Sequence, residues 1–68
     1  MTEFRPGDRV RLRRPRPDAG CSAGEAGTVV RAICDLQTGL PILYDVALDR
    51  YQGVARTACL PEDIEAAD

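Results

Sequence analysis

The stretch ILYDVALD, Ile42 to Asp49, decides the fold class. Ile42, Tyr44, Val46 and Leu48 alternate with Leu43, Asp45, Ala47 and Asp49. That period of two puts one set of side chains on each face of a β-strand. Upstream, DRVRLR (Asp8 to Arg13) alternates in the same way, with Val10 and Leu12 on one face and Arg9, Arg11 and Arg13 on the other. Pro6 and Gly7 supply the turn that starts it. TVVRAIC (Thr28 to Cys34) reads as a β-branched strand introduced by Gly27. Its core face is ambiguous, because Val29 and Ile33 share one parity and Val30 and Cys34 the other, so a bend or bulge is expected.

Between these strands, RPRPDAGCSAGEAG (Arg14 to Gly27) holds two prolines and three glycines and reads as a long irregular loop. DLQTGLP (Asp35 to Pro41) is a turn with Gly39 at its positive-φ position. RYQG is a hairpin turn closing on Gly53, and VARTACL (Val54 to Leu60) is the returning strand. LPED reads as one helical turn, with Pro61 first and Glu62 and Asp63 near its positive end. Ile64 follows as a short closing strand, and the EAAD tail (Glu65 to Asp68) is expected to fray. Four or five short antiparallel strands with short later turns fit a closed or nearly closed small barrel, which hides strand edges. Residues 1–68 make a single all-β domain.

Composition narrows the function. The 68 residues include three cysteines (Cys21, Cys34, Cys59), no histidine and no CxxC. Structural zinc calls for a four-ligand Cys/His set that this chain lacks, so no metal or cofactor is expected. Cys34 and Cys59 lie in strand-like runs and read as small buried hydrophobes. Cys21, in a polar loop, is expected to be the exposed one. Without histidine or lysine no acid–base or nucleophilic pair can be assembled, and Asp45 and Asp49 stand about 13 Å apart along a strand. The chain reads as non-catalytic. MTEFRPGD (Met1 to Asp8) contains no apolar run of the leader type, so no leader is expected, and no stretch is long enough to span a bilayer. With unpaired cysteines as well, a reducing cytoplasm is the expected home.

The motifs FRPGDRVR, AGEAGTVV, LYDVALD and LPEDIE, in that order, resemble small SH3-like barrels. They are similar to the barrel domain of the nitrile hydratase β subunit. That domain is itself similar in fold to the peripheral barrel subunit of photosystem I and to the variable chain of ferredoxin–thioredoxin reductase. The resemblance spans Phe4 to Glu65, although the first loop and the Asp35 to Pro41 turn are much shorter than in the hydratase subunit. It implies an SH3-like barrel with a helical turn before its last strand, and a habit of docking on a larger enzyme or complex. The metal-binding claw of nitrile hydratase lies on its other subunit, so no catalytic or metal-binding residue carries over. KOW-type RNA-binding modules share the glycine-turn-strand pattern.

Two surfaces are therefore candidates. The first is a protein-binding surface of Arg14, Arg16 and Asp18 in the long loop with Arg50 and Tyr51 at the hairpin, since loops on rigid barrels carry recognition and Arg–Tyr pairs suit interfaces. The second is an RNA-binding row of Arg9, Arg11, Arg13, Arg14 and Arg16. Against the second, the net charge is −2 and the pI about 5.0. All nine basic residues are arginine, which looks like a coding bias, and only Phe4, Tyr44 and Tyr51 are aromatic. From Met1 to Pro17 six arginines face Glu3 and Asp8, a surplus of four positive charges. From Pro61 to Asp68 there are four acids and no base. Where the two ends adjoin, they neutralise each other. The expected role is an accessory or protein-binding module, with a KOW-like RNA binder as the alternative and a subunit of a nitrile hydratase-like enzyme as a third class.

Overall fold

A computed structural model describes residues 3–52 and 56–67, except for the side chains of Ala19 and Tyr51. Five strands follow one another: β1 (Arg9–Leu12), β2 (Ala26–Cys34), β3 (Pro41–Leu48), β4 (Arg56–Cys59) and β5 (Ile64–Ala66). Single 3-10 turns occupy Pro17–Ala19, Asp49–Tyr51 and Pro61–Asp63. Every strand pair is antiparallel, in the order β4-β3-β2-β1-β5. Among the described residues no helix is long and apolar enough to cross a membrane.

The ladder is an open sheet, where the sequence reading had a closed or nearly closed barrel: β4 and β5 stand at its two edges. Its inner faces nevertheless meet. Val10 and Leu12 of β1, Val29 of β2, Tyr44, Val46 and Leu48 of β3, Cys59 of β4 and Ile64 of β5 belong to one buried cluster. Each strand thus buries one face, and among the described residues no second layer is there to cover it. The sheet has to curl over itself to do so. The remaining turn is made by Pro61–Asp63, which carries the chain from one edge to the other; Asp63 N–H donates to Leu60 O at 2.9 Å.

A bulge resolves the ambiguous parity of β2. Val29 pairs with Val46 and Arg31 with Asp45, leaving Val30 as the extra residue. Beyond it, Ala32 pairs with Tyr44 and packs on the core. Val29 and Ile33 therefore do not share a face as simple alternation had it; Val29 and Ala32 do. The bulge bends a nine-residue strand so that it serves both halves of the curled sheet.

Gly27 marks the tightest crossing. A Cβ there would lie 2.7 Å from Ala47 O and 2.7 Å from Val46 Cγ1, so the chains approach at a distance only glycine permits. Gly39 has φ 72°, the left-handed turn position expected of it. At the next turn that conformation falls on Gln52 (φ 56°), while the predicted turn glycine, Gly53, and the strand start at Val54 lie outside the described residues.

Four further expectations change. Cys21 is buried, not exposed, because Arg16 and Cys21 form a two-way backbone bridge that aims the thiol into the core. Cys34 is exposed, since it follows the second irregularity of β2 near the end of the sheet. Ile42 shares the parity of Tyr44 but lies half-exposed beyond the core, near the start of β3. The tail is not frayed at Glu65 and Ala66, which pair with Arg11 and Val10 in β5.

Gly27→Ala is expected to lower stability by about 1–3 kcal/mol, the usual cost of overpacking, read as a lower midpoint in urea. A maleimide reagent should label one thiol, Cys34, rapidly in the folded protein and all three in denaturant. Rapid native labelling of Cys21 or Cys59 would contradict the burial described.

A candidate docking groove

The arginine row of β1 is already engaged. Arg9 pairs with Thr28 in the register and donates to the Thr28 hydroxyl at 2.8 Å and to both carboxylate oxygens of Asp49. Its hydrogen bonds hold the Asp49 carboxyl below its ordinary pKa, against a smaller opposing effect of burial. Arg11 Nε reaches Glu65 at 2.9 Å and Arg13 lies 3.6 Å from the same carboxylate. The partnership follows from register, because Arg11 and Glu65 are directly opposite across β1 and β5. On β2 and β3, Arg31 pairs likewise with Asp45 at 2.9 Å. The acidic closing segment thus lies beside the basic first strand, and each of Arg9, Arg11 and Arg13 has a carboxylate neighbour.

The long loop is tied down rather than free. Leu12 N–H donates to Glu25 O at 2.9 Å and Gly24 N–H to Leu12 O at 2.7 Å. Arg50 donates to Gly20 O and pairs with Glu25 at 3.3 Å. Arg16 points inward: its Nη1 donates to Ala58 O on the outer edge of β4 at 2.7 Å, and the guanidinium lies 3.4 Å from Asp18 and 3.8 Å from buried Asp63. Arg14 reaches Asp63 at 3.6 Å. The Asp18 hydrogen bond foremost raises the Arg16 pKa, so the cation is firmly held. Arg14, Arg16 and Asp18 therefore converge on the gap between β4 and β5, where the open sheet would otherwise part. Arg50 braces the far side of the loop, and the Tyr51 side chain lies outside the described residues. Burial, foremost, raises the Cys59 thiol above its usual pKa, which makes it a poor nucleophile.

A different surface carries the exposed apolar side chains. Leu36 is fully exposed in the β2–β3 turn, and Leu40, Ile42 and Leu60 are each about half-exposed. Of these, Leu40 lines a groove of about 490 Å³ that is floored by Phe4, Tyr44 and Ile64 and walled by Leu40, Pro41 and Pro61; Ile42 and Leu60 are chain neighbours of the wall residues. Phe4 and Tyr44 set its base: their rings meet edge to face with centroids 5.6 Å apart, and the Tyr44 hydroxyl accepts the Phe4 N–H at 3.2 Å. Sequence reasoning missed this groove, since its walls come from segments far apart in the chain. The available signal was large aliphatics at turn positions, Leu36, Leu40 and Leu60, where polar residues are usual.

No protein-family model matches the chain, and no curated protein or solved structure is significantly similar to it. What the surface does has to be argued from its own chemistry.

Arg16→Ala is expected to cost about 1–2 kcal/mol, because it strips a charge-assisted bond from an edge carbonyl and uncovers Asp63. Arg13→Ala, an exposed pair, should change stability by less than about 0.5 kcal/mol. Chemical denaturation of the two variants checks the contrast; equal losses would mean Arg16 is not a strut.

Proposed function

We propose that the chain is a non-catalytic accessory module that docks on another protein, a larger enzyme or complex, in a reducing cytoplasm. The observation that carries this reading is the apolar groove, with half-exposed Leu40 in its wall and half-exposed Ile42 and Leu60 next to its wall residues in the chain. Clustered apolar surface of this kind marks interaction sites more often than it decorates a solvated face. Kinship with SH3-like accessory subunits is part of the reading, supported by five antiparallel strands with a 3-10 turn before the last. The RNA alternative is disfavoured, because Arg9, Arg11 and Arg13 are each paired with Asp49 or Glu65, which leaves the row one net positive charge. Phosphates would have to compete with those carboxylates.

Affinity capture from the producing cells, with Leu40→Glu/Ile42→Glu as control, tests the proposal. The wild type should retain a protein that survives nuclease treatment and is lost in the double variant. Both substituted side chains are half-exposed, so circular dichroism and thermal midpoint should stay close to wild type. Retention of RNA alone, abolished by Arg11→Glu/Arg13→Glu, would overturn the proposal in favour of the RNA reading.

A further inference from the structure

Among the described residues, the charged side chains on the rim of the groove sum to a net negative charge. Its charged members are Glu3, Arg13, Glu62 and Glu65. Arg13 and Glu65 face each other at 3.6 Å, and Glu65 also holds Arg11. Glu3 and Glu62 have no ion pair among the described residues, and both are exposed. Arg5, the next cation along the chain from Glu3, does not line the groove. Two uncompensated carboxylates therefore stand over an apolar trough. A partner that displaces water there is favoured if it brings cations and penalised if it brings acids.

Beside the trough, β5 is an edge strand that pairs, among the described residues, with β1 alone. Arg13 N–H donates to Asp63 O at 2.8 Å and Ala67 N–H to Arg9 O at 3.1 Å, which fixes the phase of the β1–β5 ladder. In an antiparallel pair the bonded positions alternate, so Asp63, Glu65 and Ala67 turn toward β1. Ile64 and Ala66 turn their N–H and C=O groups to the outer edge of the sheet. Ile64 is buried, but Ala66 is exposed and lines the groove.

We infer that the groove takes an extended segment of the partner protein, with aliphatic or proline residues in the trough and arginine or lysine at its flanks. This inference rests on the docking reading above and specifies its ligand. Each feature has its counterpart: the floor of Phe4, Tyr44 and Ile64 accepts apolar side chains, Glu3 and Glu62 accept cations, and the exposed edge at Ala66 accepts backbone hydrogen bonds. A trough of about 490 Å³ holds a few side chains, not a folded face.

Two pools of short fluorescent peptides test this by anisotropy at low salt. Both have a core randomised over Ala, Val, Leu, Ile and Pro; one is flanked by arginines and the other by glutamates. The arginine pool should bind about tenfold more tightly, as expected for two exposed charge pairs. Glu3→Arg/Glu62→Arg should reverse the order, and Leu40→Glu should weaken both. Equal binding of the pools, no binding of either, or a preference unmoved by the double reversal would overturn the inference. If cellular capture is lost in Leu40→Glu/Ile42→Glu yet unaffected by Glu3→Arg/Glu62→Arg, docking stands and the cationic ligand does not.

Discussion

A sheet of five short strands that must cover its own apolar face governs everything else in this chain. With no helix or second sheet to pack against among the described residues, Val10, Leu12, Tyr44, Val46 and Leu48 can leave water only if the sheet curls over its own inner face. Fully burying one such side chain contributes about 1.5–3 kcal/mol, whereas an exposed ion pair contributes about 0–1. The core therefore sets the geometry, and the arginine–carboxylate pairs follow it. Two features of β2 make the curl possible. The bulge at Val30 bends the strand, and Gly27 lets β3 cross it at a distance no side chain would allow.

Curling without closing leaves two edges, and the chain treats them differently. At β4, the guanidinium of Arg16 takes the carbonyl of Ala58 and, with Arg14, surrounds Asp63. An edge carbonyl that would otherwise invite another strand is thereby occupied, a role better suited to the planar five-donor arginine than to lysine. At β5, Glu65 is drawn toward β1 by Arg11 and Arg13, while Ala66 stays exposed beside the groove. Four of the N-terminal arginines, Arg11, Arg13, Arg14 and Arg16, thus pair with carboxylates of the closing segment, and Arg9 with Asp49.

The strands were legible because alternation is local. Ile42 to Asp49, Val10 with Leu12, and the Pro61 turn can each be read within a few residues, and Gly39 declares its own backbone conformation. What stayed hidden depends on contacts between distant segments. Composition marks Arg14 to Gly27 as a polar loop, but nothing local says that Arg16 and Cys21 bridge each other and turn the thiol inward. The parity of β2 stayed open because conflicting parity in a run of β-branched residues signals a bulge without saying at which residue it falls. The same holds for function. Arginine density drew attention to the first strand and loop, yet Arg9, Arg11, Arg13 and Arg16 find their partners up to fifty-four residues away. The groove combines Phe4, Leu40 and Pro61, whose proximity no single window of sequence contains.

The location of the groove follows from the same incomplete closure. Phe4 enters the core from outside the strands and covers Tyr44, so the N-terminal segment acts as a lid over one end of the curled sheet. Between that lid, the start of β3 and the Pro61–Asp63 turn, the inner face reaches the surface without being fully covered. Ile64 and Tyr44 are nearly inaccessible as whole residues and still form the floor, so the trough is the core seen from its open end. A protein of this size has little spare apolar surface to bury. Leaving Leu40, Ile42 and Leu60 half-exposed at or next to the wall of such an opening forgoes the burial of large aliphatics. That arrangement is the one expected of the docking module proposed above, in which a second chain would complete the cover.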